Sequence, residues 1–175
     1  MRKASRLLLP VMLGVLATAI AVHSHPHFRK TVTASLPGLE VKIEYTTYPW
    51  NPAHLAEVKE GFVFHCGNAL VELNAPAKHG SLTIPAGKYL LRARAGNEDD
   101  WTFLLIPALE GRNAKPDLTK AIALPTKTFT GRPVEYHLSL DICAGHGETD
   151  NMALFVLQWG DRRLEGQLAD FKTEG

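Results

Sequence analysis

Hydrophobic and polar residues alternate along most of the chain from Leu39 onward. The pattern is clearest in Val134–Ile142, where every second residue from Val134 is apolar and the residues between are polar or charged. Such a period of two is typical of a strand with one face on a core and the other in water. The nearly continuous apolar run Met152–Trp159 instead indicates a central strand that is buried on both faces.

Glycine-rich and proline-rich turn clusters separate these short apolar segments, as at Pro85–Gly87, Gly131–Pro133 and Gly160–Asp161. Many short strands divided by turns predict an all-β fold, an antiparallel β-sandwich of jelly-roll-like type. We expect one domain over residues 35–170 and a polar tail over 171–175. At most one short helix is expected, within Asn51–Glu60, and Glu110–Asp117 is expected to be a long loop.

The N-terminal residues have the pattern of a secretory signal peptide. Three basic residues precede an apolar run from Leu7 to Val22, and Ala19 and Ala21 supply the small residues that a signal peptidase accepts. We therefore expect residues 1–21 to be cleaved and the protein to be periplasmic or extracellular. The alternative is an uncleaved helix that anchors the chain to the membrane. Residues 22–34 are expected to form a flexible segment that contains histidines.

The charge of the mature chain excludes one class of partner. Removal of residues 1–21 takes away three of the 19 basic side chains and none of the 18 acidic ones, so the remaining chain is slightly acidic. A protein of this charge has little attraction for phosphate backbones or anionic lipid. We expect no nucleic-acid partner and, after cleavage, no stable insertion into a membrane.

The chain has two cysteines, Cys66 and Cys143. An even number of cysteines in an exported chain favours a disulfide, which a loop of this length would make worth on the order of 4 kcal/mol. The alternative is a pair of buried free thiols, because the sequence does not establish that the two Cα atoms are close enough to bridge.

Several segments together resemble the exported bacterial family known as domain of unknown function 2911. They are, in chain order, Gly38–Tyr45, Gly67–Leu73, Ile84–Tyr89, Gly96–Thr102 and Ala153–Gly160. The resemblance covers roughly residues 31–168 and implies an exported, mainly β domain with no established activity. The chain departs from the family pattern at His65 and Cys66, where the family usually has a basic residue and a threonine, and at Tyr48–Pro52.

Three histidines, His23, His25 and His27, alternate directly after the expected cleavage site. Neutral imidazoles on a flexible segment can bind Cu(II), Ni(II) or Zn(II), and a new amino terminus can join them. A divalent transition metal is therefore a possible cofactor. The alternative is that these histidines are ordinary linker residues.

Recognition in β-sandwiches is usually placed on loops at one end of the sheets. The residues with suitable chemistry in such positions are Trp50, Trp101, His137 and His146. Tryptophan can stack on a sugar, although core packing is the alternative for Trp101 and Trp159. His146, Glu148 and Asp150 share one pliable loop, but their spacing matches no established metal-binding motif.

Three functional hypotheses follow. The first is a non-enzymatic binding module for a small ligand, a glycan or a protein partner, and the second is a metal-handling protein that uses the N-terminal histidines. The third is an enzyme with a dispersed acid-base site, which would place His65, His137 or His146 beside a carboxylate in a pocket. The chain contains no nucleophile elbow, His-Glu-x-x-His, phosphate loop or Cys-x-x-Cys motif.

Overall fold

The computed structural model describes residues 27–56, 58–97, 100–109 and 115–171. These residues form thirteen strands, one helical turn, α1 (Ala53–Ala56), and three short 3₁₀ turns, Cys66–Asn68, Leu118–Lys120 and Gly147–Thr149. The strands are β1 (Arg29–Leu36), β2 (Leu39–Thr46), β3 (Val63–Phe64), β4 (Leu70–Leu73), β5 (Ala77–His79), β6 (Leu82–Ile84), β7 (Gly87–Ala95), β8 (Trp101–Pro107), β9 (Ile122–Ala123), β10 (Thr126–Phe129), β11 (Glu135–Ala144), β12 (Met152–Gly160) and β13 (Arg162–Asp170).

The strands form two main antiparallel sheets and one small hairpin. The first sheet has the order β1-β2-β4-β7-β8-β9, with β3 also paired to β7. The second sheet has the order β10-β13-β12-β11, and β5 pairs with β6. The predicted all-β, antiparallel architecture is confirmed and is consistent with a β-sandwich. Among the described residues, no helix is long and apolar enough to cross a bilayer.

The alternating sequence pattern produces the core. In β2 the side chains of Val41, Ile43 and Tyr45 are buried, whereas the residues between them are partly or fully exposed. In β12 all five residues from Ala153 to Leu157 are buried, because this strand is central in its sheet, between β11 and β13. The prediction of a strand buried on both faces is therefore confirmed.

The structure corrects two expectations and makes two others more specific. Residues 29–34 are not a flexible segment, because β1 pairs with β2 over its whole length. Val134 and Tyr136 do not face the core but are 45% and 73% exposed, since the regular pairing of β11 with β12 is interrupted between Glu135 and Ser139. The short helix is a single turn, α1 (Ala53–Ala56), and lies within the expected range Asn51–Glu60. Of the expected 110–117 loop, only residues 115–117 are described, and they contain no regular structure.

The two sheets are joined at one edge by threonine side chains. The backbone N–H groups of Trp101 and Phe103 in β8 donate to the hydroxyls of Thr128 and Thr126 in β10, at 3.1 and 3.0 Å. Both donors belong to the sheet edge that the two-residue strand β9 covers only in part. The hydroxyls thus satisfy backbone groups that would otherwise lack a partner.

Candidate functional site

An open groove of about 840 Å³ lies where the chain leaves the first sheet and crosses to the second. One wall runs from the end of β2 at Thr46 to Asn51, and the other runs from Phe62 to Asn68. The crossing segment is held by the irregular start of β11. The Leu138 N–H donates to the Tyr48 carbonyl at 2.9 Å, and the Trp50 N–H donates to the Tyr136 carbonyl at 2.8 Å.

Aromatic rings from both walls meet around the buried Trp159, and together they form the floor of this groove. Trp159 is buried, and the ring centroid of Trp50 lies 4.8 Å from it in an edge-to-face arrangement. Phe64 stacks on the same indole at 4.8 Å, and Tyr48 meets it edge-on at 5.5 Å. Such pairs add about 0.5–1.5 kcal/mol each beyond the area they bury, so the cluster makes a rigid floor.

Trp50 lies flat against the backbone of Gly160. A Cβ atom placed on Gly160 would be 2.5 Å from two atoms of the indole, and Gly160 has φ +62°. Glycine therefore does two things here: it allows the left-handed turn between β12 and β13, and it gives the indole room. One face of the Trp50 ring is covered by the Gly160 backbone, and the half-buried ring lines the groove.

The opposite wall is a left-handed turn. Cys66, Gly67 and Asn68 have φ values of 48°, 66° and 53° in succession. Left-handed backbone costs roughly 1–2 kcal/mol per residue other than glycine. At Gly67 no other residue fits, because a Cβ atom would clash with the Thr46 carbonyl oxygen. Strained backbone of this kind persists only where surrounding contacts enforce it, and it concentrates at functional sites.

Arg92 is one of the contacts that enforce this turn. Its side chain is buried, with 6% exposure, and Nη1 donates to the His65 carbonyl at 3.1 Å and to the Leu91 carbonyl at 2.8 Å. Burial lowers the pKa of the guanidinium, but an arginine remains charged in a protein. The buried cation therefore holds the residue that begins the turn, and so fixes the position of the wall.

The Tyr48 hydroxyl and the Cys66 thiol, which lie at this wall, both remain protonated at neutral pH. Burial is the main cause that raises the pKa of the Tyr48 hydroxyl, and the neighbouring Cys66 raises it further. Burial also raises the pKa of the Cys66 thiol, against the opposing influence of Arg92. Cys66 is therefore a neutral, packed thiol rather than a nucleophile.

The described residues that line the groove include no Asp, Glu, Lys or Arg. The polar members carry hydroxyl, amide or imidazole groups: His27, Thr46, Tyr48, Asn51, His65 and Asn68. His27 Nδ1 lies 2.9 Å from the Thr47 carbonyl oxygen, which can only accept, so Nδ1 carries the proton. In the neutral ring the lone pair is then on Nε2, available to accept a hydrogen bond or to bind a metal.

The structure brings only some of the predicted ligand residues to this groove. Trp50 lines it, and His137 is exposed nearby, with its backbone bridged to Pro49. Trp101 is not available as a stacking surface, because it is only 6% exposed within the core. His146 lies elsewhere, in the loop after β11, next to the turn of Gly147–Thr149.

The predicted disulfide is absent, and Cys66 and Cys143 are free thiols. Cys66 is buried on the core side, where Gly67 approaches the side chain of Leu138. Cys143 lies on the same strand as Leu138, but five residues away and therefore on the opposite face of β11. Alternation along the strand thus turns the second thiol away from the first.

The predicted metal ligands His23 and His25 lie outside the described residues, whereas His27 lines the groove. Within the described ranges, no group of three or more His, Cys, Asp or Glu residues is arranged to hold a metal ion. In the loop after β11, Glu148 pairs with Lys127 at 3.1 Å. His146, Glu148 and Asp150 are not arranged to hold a cation.

One histidine does lie beside a carboxylate, but at another place. His79 Nδ1 is 2.7 Å from Asp170 Oδ1, and the Gly80 N–H donates to Asp170 Oδ2 at 2.8 Å. These contacts hold the β5-β6 hairpin against the end of β13. The Gly80 hydrogen bond and then the His79 contact lower the pKa of Asp170. Both oxygens of the carboxylate are engaged in fixing the hairpin turn.

Sequence reasoning did not identify most of the groove residues, among them Tyr48, Phe62, Phe64 and Asn68. They belong to two segments that are distant in sequence, and only the crossing of the chain between sheets brings them together. A usable signal was present in Gly67–Asn68, since adjacent glycine and asparagine favour left-handed backbone. Phe62 also gave a signal, as an aromatic residue directly after a turn glycine, and it is 46% exposed.

The chain matches no protein-family model, no curated protein and no solved structure. The resemblance to domain of unknown function 2911 therefore stays a prediction that depends on the quoted segments alone.

Proposed function

We propose that this protein is an exported, non-enzymatic binding module that takes a small ligand in the groove between Thr46–Asn51 and Phe62–Asn68. Export through the N-terminal signal, a periplasmic or extracellular location and a jelly-roll-like form of the sandwich are parts of the same proposal. A glycan or a segment of a protein partner is included among the possible ligands.

The observation that carries the proposal is an aromatic groove with exposed aromatic residues beside it. Phe62, in the wall, is 46% exposed. Phe28, which follows the groove residue His27, is 61% exposed, and Tyr136, bonded through its backbone to Trp50, is 73% exposed. Exposed aromatic side chains grouped around a concave surface mark binding sites more often than they mark ordinary surface.

The same groove is poorly suited to acid-base catalysis. His65 lines it, but no carboxylate does so among the described residues. A general base needs a second group to orient it and to stabilise its charged form. The pair that has this arrangement, His79 and Asp170, lies outside this groove in a separate pocket, where both carboxylate oxygens are engaged with His79 and the Gly80 turn. The chemistry of the groove therefore favours binding over reaction.

Ligand-observed NMR with a library of small fragments tests this proposal on the full chain. We expect fragments that bind wild type to be lost from Trp50→Ala and retained by His146→Ala, which also removes a predicted ligand residue but lies outside the groove. Phe62→Ala is a second groove variant, at a side chain that is 46% exposed and is not one of the buried core residues. Hits that survive in both groove variants, or an absence of hits, would contradict the proposal.

Metal handling is a second candidate, and one observation favours it. The contact from His27 Nδ1 to the Thr47 carbonyl fixes the tautomer in the manner usual for a metal-binding histidine, and His65 lines the same groove. Titration with Cu(II), followed by electron paramagnetic resonance, tests this candidate. Nitrogen coupling that is reduced in His65→Ala as well as in the His23, His25 and His27 variants would support a groove site. Coupling lost only from the N-terminal variants would place the metal on the N-terminal segment alone.

A further inference from the structure

The charge of the groove restricts what it binds. The described lining residues carry no carboxylate, ammonium or guanidinium group, and the nearest buried cation, Arg92, is directed to backbone carbonyls. An ionic ligand would give up part of its hydration in this open groove without gaining an opposite charge in return. The complementary ligand is therefore uncharged.

The aromatic rings at the floor of the groove favour a ligand that also has an apolar face. Trp50 has one face against the Gly160 backbone, and Trp159 holds it at 90°. A ring fixed in this way loses little conformational entropy when a second flat surface stacks on it. Phe62, across the groove, is exposed and provides a second apolar surface.

The walls supply hydrogen-bonding groups that both donate and accept. Asn51 and Asn68 carry amides, Thr46 carries a hydroxyl, and His65 and His27 carry imidazoles. Asn68 and His65 are exposed and are set by the left-handed turn that Arg92 holds. Groups that can act in both senses match hydroxyls, which also donate and accept.

An uncharged molecule that has a flat apolar face and a periphery of hydroxyl groups is a sugar ring. The groove volume of about 840 Å³ is toward the upper end of the range of about 300–1,000 Å³ for small-ligand pockets, so it holds more than one ring. Resting on the proposed binding function, we infer that the ligand is a neutral oligosaccharide, with a sugar ring stacked on Trp50 and its hydroxyls bonded to the His65–Asn68 turn.

Isothermal titration calorimetry with defined tetrasaccharides tests the inference. The neutral probes are cellotetraose, maltotetraose, xylotetraose and tetra-N-acetylchitotetraose, and tetragalacturonate is the charged counterpart. We expect at least one neutral probe to bind, with an affinity reduced about two- to tenfold in Trp50→Ala, as the loss of one aromatic contact implies. Trp50→Phe should recover part of that loss, Asn68→Ala should weaken binding, and His146→Ala should leave it unchanged.

Three outcomes would overturn the inference. In the first, fragments bind the groove but no neutral tetrasaccharide does. In the second, tetragalacturonate binds as tightly as the best neutral probe. In the third, saccharide binding survives in both Trp50→Ala and Phe62→Ala. The first leaves the proposed binding function intact, so the two failures are distinguishable. If Trp50→Ala does not fold, Phe62→Ala alone decides the point, because Phe62 is 46% exposed and is not one of the buried core residues.

Discussion

Replacement of Gly160 by alanine should destabilise the protein and disturb the groove at the same time. Gly160 has φ +62°, and the new Cβ would lie 2.5 Å from Cδ2 and Cε2 of Trp50. Real Cβ atoms do not approach other carbons so closely, and these two carbons belong to a rigid indole. Either the ring or the β12-β13 turn must therefore move.

The expected magnitude has two parts. Left-handed backbone at an alanine costs roughly 1–2 kcal/mol relative to glycine. Displacement of the indole disturbs its contact with Trp159, which is worth about 0.5–1.5 kcal/mol, and adds strain of about 1–3 kcal/mol where the new methyl group overpacks the site. We expect the free energy of unfolding to fall by about 3–5 kcal/mol, measured by urea unfolding with tryptophan fluorescence as the probe.

Gly131→Ala is the matched control. Gly131 has φ +67°, almost the same value, but a Cβ atom at this position would have nothing within 4 Å. This variant should lose only the backbone contribution of about 1–2 kcal/mol. The difference between the two variants then measures the contact with Trp50 alone.

A double-mutant comparison completes the test. In a Trp50→Ala background the ring is gone, so Gly160→Ala should destabilise the protein no more than Gly131→Ala does. Equal losses for Gly160→Ala and Gly131→Ala in the wild-type background would refute the reasoning. Such a result would mean that the indole does not rest on Gly160, and the proposed stacking platform would lose its support.

Three further predictions concern other parts of the molecule. Arg92→Met should lower the free energy of unfolding by about 2 kcal/mol in urea unfolding, because two carbonyls lose a charged donor, and Arg92→Lys should recover part of it. Iodoacetamide should modify Cys143 but spare the buried Cys66 in the native protein, giving one adduct by intact mass and two after unfolding; a two-proton mass deficit without adducts would instead show a disulfide. Asp170 has a lowered pKa when folded, so its stabilisation is present above the ordinary value of 3.8 and is lost as the pH falls through the lower folded value. Asp170→Asn should therefore remove that pH dependence from thermal unfolding and lower the free energy of unfolding at pH 7 by about 1 kcal/mol. The figure is small because the carboxylate is 47% exposed and is screened by solvent. A pH dependence of unfolding that is unchanged in the variant would contradict this.

The strands were predictable because their side chains alternate. Val41, Ile43 and Tyr45 face the core as the pattern indicates, and the continuous apolar run of β12 correctly predicted a central strand. The prediction went wrong at Val134 and Tyr136, which keep the apolar period but are exposed. There β11 leaves its partner strand to bond with the segment Tyr48–Trp50, and that change is a tertiary event without a local sequence signal.

The site was predictable only in part for the same reason. Trp50 was identified as one of the residues whose chemistry suits recognition on loops at the end of a sandwich. The second wall depends on a left-handed turn at Cys66–Asn68 and on a buried arginine from another strand, Arg92. By the alternation in β7, Arg92 occupies a position that should face solvent. It is buried because β3 and the following turn pack against β7, and the sequence does not show this contact. Whether Cys66 and Cys143 pair could not be read from the sequence either, because it depends on which face of β11 carries Cys143.

The threonine hydroxyls of β10 have a consequence for how the molecule behaves at high concentration. A sheet margin with unused amide hydrogens is a template onto which a strand from another chain can add. At Trp101 and Phe103 those hydrogens are already engaged by Thr128 and Thr126 of the same chain. The hydroxyls thereby protect this margin against fibril-like growth, and they do so without lengthening the sheet by a further strand.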